Sequence, residues 1–170
     1  MKTPPRSLEA DAISAALSAY WNLDSAALTY TPLGFGSHHW IAETTDGEKW
    51  FVTIDDLLAA HLGENEDRSF EVLATAFGTA AALRDAAKLA FVIGPIADSS
   101  GRWLHRLEGR YSMAVFPFID VEPSEFGEFQ HESDKNDAMR LVGAIHNATA
   151  QLSVDRLRKE TLLVPKRTEL

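Results

Sequence analysis

The chain has 170 residues, of which 45% are hydrophobic and 24% are charged, and its net charge at pH 7 is −9. This length and composition are typical of a protein with one globular domain. The acidic charge and the scattered basic residues exclude a nucleic-acid surface, which needs clustered Lys and Arg, and the absence of cysteine excludes disulfides and thiolate metal sites.

The first predicted element is an amphipathic helix over residues 8–21. Ile13, Leu17 and Tyr20 recur at near-helical spacing, which places them on one face of a helix. Ser7 has the side chain of a helix N-cap. We therefore expect this helix to begin just after Ser7.

Strand-like alternation begins after this helix. The segments "LTYTPL", "HHWIAETT" and "EKWFVTID" are rich in β-branched and aromatic residues. Asp46-Gly47 lies between the last two, and this dipeptide is a strong signal of a tight hairpin. The pattern predicts three antiparallel strands.

Helices and strands alternate through the rest of the chain. A helix is predicted over residues 67–87, followed by strands in "AFVIGPIA" (90–97), "RWLHRL" (102–107) and "YSMAVFPF" (111–118). A polar linker and a helix over residues 134–152 complete the order. Strand hairpins around one long helix predict an α+β fold in which an antiparallel sheet carries a helix on one face.

The segment "LGFGSHHW" allows two interpretations. Gly34 and Gly36 lie between two predicted strands, where backbone N–H groups in a glycine turn can face phosphate oxygens. Ser37 adds a hydroxyl donor. The segment alone is also compatible with a strained turn that binds nothing. His38 and His39 do not form a metal pair, because neighbouring strand residues point to opposite faces.

Five stretches carry a family resemblance, and they occur in the family's order over most of the chain from Leu33 onward. They are "LGFGSHHWIAETTDGEKWFVTIDDL", "FGTAAALRDA", "MAVFPFIDVEPSEFGEF", "LVGAIHNAT" and "LLVPKRTEL". In these stretches the sequence resembles the amino-terminal half of the aminoglycoside phosphotransferase family, whose fold is similar to that of protein kinases. The resemblance implies a small kinase-like lobe at residues 1–118, with an N-terminal helix, a sheet of about five strands and a packed helix. It implies a hinge, a linker and the start of an incomplete helical lobe at residues 119–170.

The resemblance also implies a site for ATP and Mg²⁺, and it favours the phosphate-loop interpretation of the glycine turn. In the family the turn holds phosphates, the third strand contributes one contact, and a hinge forms a wall against adenine. The implied nucleotide-binding residues are Gly34, Phe35, Gly36, Ser37, His38, His39, Thr53, Val115, Phe116, Pro117 and Phe118.

Two departures from the family pattern separate this chain from a complete kinase. Thr53 occupies the position of the strand lysine that grips phosphates, and Lys49 lies about 13 Å away along the strand. Glu71 is the candidate for the lysine's partner, and without the lysine we expect it to be a solvated helix residue. The catalytic loop resembling "HGDxxxxN" and the magnesium-binding aspartate are missing, since "HESDKN" at 131–136 has the wrong spacing. No catalytic or metal-binding residue is therefore assigned.

Three accounts of function remain open. In the first, the chain is the nucleotide-binding part of an ATP-dependent small-molecule phosphotransferase. In the second, it is a non-catalytic relic that binds nucleotide or a partner. In the third, it is an interaction module of another class. The expected partners are a nucleotide, a hydroxylated small molecule if a complete enzyme exists, and a second copy bound through the face that a second lobe would cover. "MKTPPRSLEADA" lacks the apolar core of a signal peptide, and no later stretch is long and apolar enough to span a bilayer. We therefore expect a cytoplasmic protein.

Overall fold

The structure is a computed structural model, and it describes residues 3–34, 36–59, 62–121, 129, 131–149 and 152. Helices and strands follow the predicted order, except that the strand expected at residues 90–97 is not formed. The elements are α1 (Ala10–Trp21), β1 (Ser25–Tyr30), β2 (His38–Thr44), β3 (Lys49–Asp56), α2 (Glu66–Asp85), β4 (His105–Leu107), β5 (Tyr111–Pro117) and α3 (Glu132–Thr149).

The strands form one five-stranded sheet in the order β1-β2-β3-β5-β4. Each pair of neighbours is antiparallel. The sheet and its flanking helices confirm the predicted α+β fold. β3 lies at the centre of the sheet, so residues from β2 and β5 flank its side chains on both sides.

The predicted hairpin at Asp46-Gly47 is confirmed. Gly47 has a φ of 88°, which favours glycine, and its amide donates to the carbonyl of Thr44 at 3.0 Å. The hydroxyl of Thr44 donates to the carboxylate of Asp46. This turn fixes the register in which β2 pairs with β3.

The two faces of the sheet have different roles. On one face, Val52 and Ile54 of β3 pack with Ile13 and Leu17 of α1, and all four side chains are fully buried in the main hydrophobic core. Successive strand side chains point to opposite faces. The odd-numbered residues of β3 therefore point away from α1, toward the face where a ligand can bind.

The start of α1 differs from the prediction. The helix begins at Ala10, and the residue at its N-cap, Glu9, makes no capping bond through its side chain. Ser7 does not cap the helix, because its hydroxyl is hydrogen-bonded to the Tyr111 hydroxyl at 2.5 Å. A contact between residues distant in sequence thus replaces the expected local one.

The predicted strand at residues 90–97 is wrong, because this segment has no regular secondary structure. Pro95 has no N–H to donate to a sheet. The guanidinium of Arg84, at the end of α2, donates to the carbonyls of Gly94 at 2.6 Å and Pro95 at 3.1 Å. A side chain at Gly94 would come within 3.2 Å of the backbone of Ala80. Its amide at Ile96 donates to the carbonyl of Val115 in β5 at 2.7 Å. The segment is therefore held between α2 and the sheet without forming a strand.

The last described helix, α3, exposes much of its apolar surface. Ala148 is its buried residue, whereas Met139, Leu141 and Val142 are 66%, 42% and 48% exposed. Within the described ranges, no helix is long and apolar enough to cross a membrane.

Candidate functional site

A cleft of about 460 Å³ opens on the face of the sheet opposite α1. Its volume lies within the range that is typical of small-molecule sites. The turn before β2, the centre of β3 and the segment after β5 all contribute to its walls. The lining residues are Leu33, Ile41, Phe51, Thr53, Ile93, Phe116, Pro117, Phe118, Ile119, Asp120 and Val121.

The register of the sheet brings the floor of the cleft together. Phe51 of β3 pairs with Ile41 of β2 on one side and with Phe116 of β5 on the other. Directly opposed residues in a sheet project from the same face. Phe77 of α2 contacts the Phe116 ring edge-on, with centroids 5.5 Å apart. Three strands therefore place apolar side chains side by side beneath the cleft.

The glycine turn adopts a backbone that favours glycine. Gly34 and Gly36 have φ angles of 69° and 88°, which other residues rarely adopt. Nε2 of His39 lies 3.6 Å from the point where a Cβ of Gly34 would be, so the turn lies over this imidazole. Phe35 lies outside the described residues. Leu33, the residue before the turn, lines the cleft, whereas Gly34, Gly36 and His39 are not among its lining residues.

Ser37 is bound to a buried carboxylate. Its hydroxyl donates to Oδ1 of Asp55 at 2.5 Å, and Asp55 is only 6% exposed. Burial raises the pKa of Asp55, although the bond from Ser37 opposes this rise. The hydroxyl that the sequence offers to a phosphate is thus already used within the protein.

The two adjacent histidines lie on opposite faces, as the alternation predicts. His38 is buried on the α1 side, where Nδ1 is 3.1 Å from the Tyr30 hydroxyl. His39 lies on the cleft side and stacks on Phe51, with ring centroids 5.0 Å apart. Burial lowers the pKa of both imidazoles. His39 is therefore a neutral polar group at pH 7.

Thr53 lies at the inner end of the cleft and is 8% exposed. Its hydroxyl oxygen is 3.3 Å from Nδ1 of His39. Lys49 lies near the opposite end of β3, with Nζ 4.0 Å from a Glu43 carboxylate and 5.8 Å from the centre of the Phe118 ring. The position that the family resemblance assigns to the kinase lysine thus holds a neutral hydroxyl.

Glu71 does not point into the site. It is paired with Arg68, one turn away on α2, at 2.8 Å, and both side chains are more than 60% exposed. The residues that α2 buries near its start are Ser69 and Val72. The expected solvated position of Glu71 is confirmed.

The hinge residues divide between the two faces. Phe116, Pro117 and Phe118 line the cleft, whereas Val115 is fully buried in the core on the α1 side. Because Pro117 has no N–H, it offers a ligand only its carbonyl. The hinge wall is thus aromatic and apolar.

Sequence reasoning missed several residues of the cleft. Phe51 follows from the period-two alternation around Thr53 on β3, and Ile41 follows from the same alternation along β2. The sequence therefore contains a signal for both residues. Ile93 and Ile119 lie in irregular segments whose path depends on contacts distant in sequence. Asp55, two residues from Thr53 on the same face, is predictable from the alternation.

A second groove, of about 690 Å³, lies along the outside of α2. Small residues line most of it, together with Trp103 and Asp85. None of the residues that the family resemblance implicates lies there. Its larger volume is therefore a weaker indication of function than the residues of the smaller cleft.

The described residues do not form a magnesium site, since they contain no group of three His, Asp or Glu side chains placed to hold a metal ion. The nucleotide fits better, because the hinge and the strand floor provide an apolar wall. The lining residues include no lysine of the kind that kinases use to bind phosphates. The residues present thus suit a nucleoside better than a metal-bound polyphosphate.

A scan against protein-family models finds no match, and a search of curated protein sequences finds none either. Solved structures do match. Spectinomycin phosphotransferase APH(9)-Ia, in complex with ADP and spectinomycin, is similar with a TM-score of 0.66 and 15% identity over 91% of this chain. Amicoumacin kinase hAmiN, in complex with AMP-PNP, Ca²⁺ and Ami, is similar with a TM-score of 0.59 and 11% identity over 90% of this chain.

The chain covers 43% of the first of these structures and 44% of the second. It therefore spans less than half the length of the phosphotransferases that it resembles. At this level of identity the likeness concerns the fold. The chain has a kinase-like fold that is similar to part of these two phosphotransferase structures.

Proposed function

We propose that the chain is the nucleotide-binding lobe of an ATP-dependent small-molecule phosphotransferase, and that the adenine ring binds in the 460 Å³ cleft. One observation carries this proposal: one cleft is lined by Leu33 next to the glycine turn, by the centre of β3 and by the aromatic segment after β5. These are the three places that the family resemblance implicates. Two structures of similar fold contain ADP and AMP-PNP.

The chemistry of the cleft supports a planar heterocycle. Ile41, Phe51 and Phe116 form a floor on which an aromatic ring can stack. Thr53 and the carbonyl of Pro117 provide polar groups at two places on an otherwise apolar wall. A few polar groups in an apolar pocket orient a ligand and give specificity.

The phosphoryl transfer itself is assigned to residues that this sequence does not contain. In kinase-like enzymes, an aspartate accepts the proton of the substrate hydroxyl and other carboxylates hold the metal ions. This chain would hold the nucleoside end of ATP and orient it toward that machinery. We assign residues 1–118 to this lobe and residues 119–170 to the hinge and the start of a second lobe.

The experiment that tests the proposal is calorimetric titration of the chain with ADP and with adenosine. Ile41→Trp fills the cleft with an indole ring, and we expect it to weaken binding by about tenfold or more. Leu58→Trp makes a similar change at a side chain that is 54% exposed and does not line the cleft. Equal binding by all three proteins would place the ligand elsewhere.

A second candidate function, self-association, rests on α3. Met139, Leu141 and Val142 expose apolar surface on this helix, and such surface promotes association when no other domain covers it. In this account the chain is a non-catalytic module that forms a homodimer through the face that a second lobe would cover.

A further inference from the structure

We propose that the inner end of the cleft recognises the uncharged hydroxyls of a nucleoside and gives little binding energy to a polyphosphate. Adenosine would then bind to this chain about as tightly as ATP. This inference rests on the proposed function, because it concerns the same cleft, and it names the part of the nucleotide that this lobe recognises.

The lining of the cleft contains no positive charge. Of its residues, Asp120 is the charged one, and it is an acid. Kinases neutralise the phosphates of ATP with a lysine on the third strand. Here Thr53 takes that place, and a hydroxyl can donate one hydrogen bond but cannot neutralise a phosphate.

Three basic side chains on or next to the sheet and α2 are engaged elsewhere. Lys49 lies near Glu43 and over the Phe118 ring, four residues from Thr53 and therefore about 13 Å away along β3. Arg68 is paired with Glu71 on the exposed side of α2. Arg110 is paired with Asp56. None of these three cations faces the inner end of the cleft.

A buried acid lies beyond Thr53. Asp55 is two residues further along β3 on the same face, about 7 Å away, and its carboxylate accepts the hydroxyl of Ser37. When ionised, this carboxylate repels a phosphate placed under the glycine turn. The turn therefore has a carboxyl group close to it where a kinase has a cation nearby.

Neutral polar groups remain at this end of the cleft. The hydroxyl of Thr53 and the imidazole of His39 lie 3.3 Å apart, and Nε2 of His39 faces the glycine turn. Hydroxyl and imidazole groups each donate and accept hydrogen bonds. They match the hydroxyls of a ribose, which also donate and accept.

The test is calorimetric titration of the chain with adenosine and with ATP, the latter with and without Mg²⁺. We expect the two dissociation constants to agree within about threefold, since a missing charged contact removes the usual advantage of ATP. Binding of ATP about tenfold or more tighter than adenosine would overturn the inference and leave the proposed function intact. Binding of neither ligand would overturn both.

Two variants sharpen the result. Thr53→Lys introduces the missing cation, and we expect it to shift the preference toward ATP by about tenfold. Thr53→Met adds a side chain of similar length without charge. It also removes the Thr53 hydroxyl, so we expect it to weaken adenosine and ATP alike and to leave the ratio of their dissociation constants unchanged. If Thr53→Met shifts the preference as much as Thr53→Lys, the charge is not the cause and the inference fails. If either variant does not fold, the ratio measured for the wild-type chain decides.

Discussion

Oγ of Ser37 lies 2.5 Å from Oδ1 of the buried carboxylate of Asp55. This bond joins the glycine turn to β3 at a point two residues beyond Thr53. It holds the end of the turn in place without any ligand. The turn is thus positioned by a contact within the protein, and a bound phosphate is not needed for its conformation.

The same carboxylate gives a pH-dependent prediction. Burial raises the folded-state pKa of Asp55 above its ordinary value of 3.8. Its contribution to stability is therefore fully present below pH 3.8 and is lost as the pH rises through the raised pKa. Asp55→Asn removes the titrating carboxyl group and with it this loss of stability, and the amide oxygen of Asn can still accept the hydrogen bond from Ser37. We expect thermal denaturation to give a higher Tm for the variant at pH 7, by about 2–4 °C for each kcal/mol gained.

The neighbouring Asp56 is the matched control, because its shift has the opposite sign. Its hydrogen bond from Arg110 lowers the pKa of Asp56, so its contribution is present above pH 3.8 and is lost as the pH falls through the lowered pKa. Asp56→Asn should therefore lower the Tm at pH 7. The same direction of change in both variants would contradict this account.

The glycine turn gives a second prediction. Gly36 and Gly47 share a φ of 88°, and a Cβ at either position meets no atom within 4 Å. Alanine at either position should therefore lower the free energy of unfolding by a similar amount, about 1 kcal/mol. Only Gly36→Ala should also weaken adenosine binding, because Gly36 belongs to the turn that follows the lining residue Leu33. Calorimetric titration of both variants with adenosine checks this. If both variants lose the same affinity for adenosine, the glycine turn does not contribute to the binding site.

A buried hydrogen-bond cluster around Asp98 gives a third prediction. Asp98 accepts hydrogen bonds from the amides of Ser100 and Arg102, at 2.9 and 2.7 Å, and its Oδ2 lies 2.5 Å from Nε2 of His105. Asp98→Ala leaves these donors without an acceptor. We expect chemical denaturation to show a loss of about 3 kcal/mol.

The pH dependence of Asp98 follows from the same contacts. Burial opposes its ionised form, but the hydrogen bonds outweigh burial and lower the pKa from 3.8 to about 2. The stability that it contributes is present above pH 3.8 and is lost as the pH falls toward 2. The difference between wild type and Asp98→Ala should therefore shrink over that range. Asp24→Ala changes an exposed aspartate that accepts a hydrogen bond from Ser18. This variant should lower the free energy of unfolding much less than Asp98→Ala does.

Light scattering tests the exposed surface of α3. We expect the 18.7 kDa chain, produced alone, to associate into a dimer of twice that mass because apolar side chains on this helix are uncovered. Val142→Glu should restore the monomer, whereas Asn136→Glu, on an exposed polar residue of the same helix, should not. A wild-type monomer at high concentration would contradict this prediction.

The elements that were predicted correctly are those that local pattern decides. The alternation around Val52 and the Asp46-Gly47 turn specify β3 and its hairpin without help from distant residues. The segment at 90–97 has the composition of a strand, but its conformation depends on the bonds from Arg84 to its carbonyls. The bond between Ser37 and Asp55 likewise joins residues 18 positions apart. Such contacts form only once the sheet has folded, so no local pattern reveals them.

An amide NMR titration of the chain with adenosine tests the central claim most directly. The account predicts shifts concentrated at the glycine turn, at Ile41, Phe51 and Thr53, and in the segment 116–121, with smaller effects elsewhere. The same titration of Ile41→Trp should show these shifts only at much higher adenosine concentration. An absence of shifts in the wild-type chain, or shifts concentrated in the groove around Trp103, would contradict the assignment of the nucleotide site to this cleft.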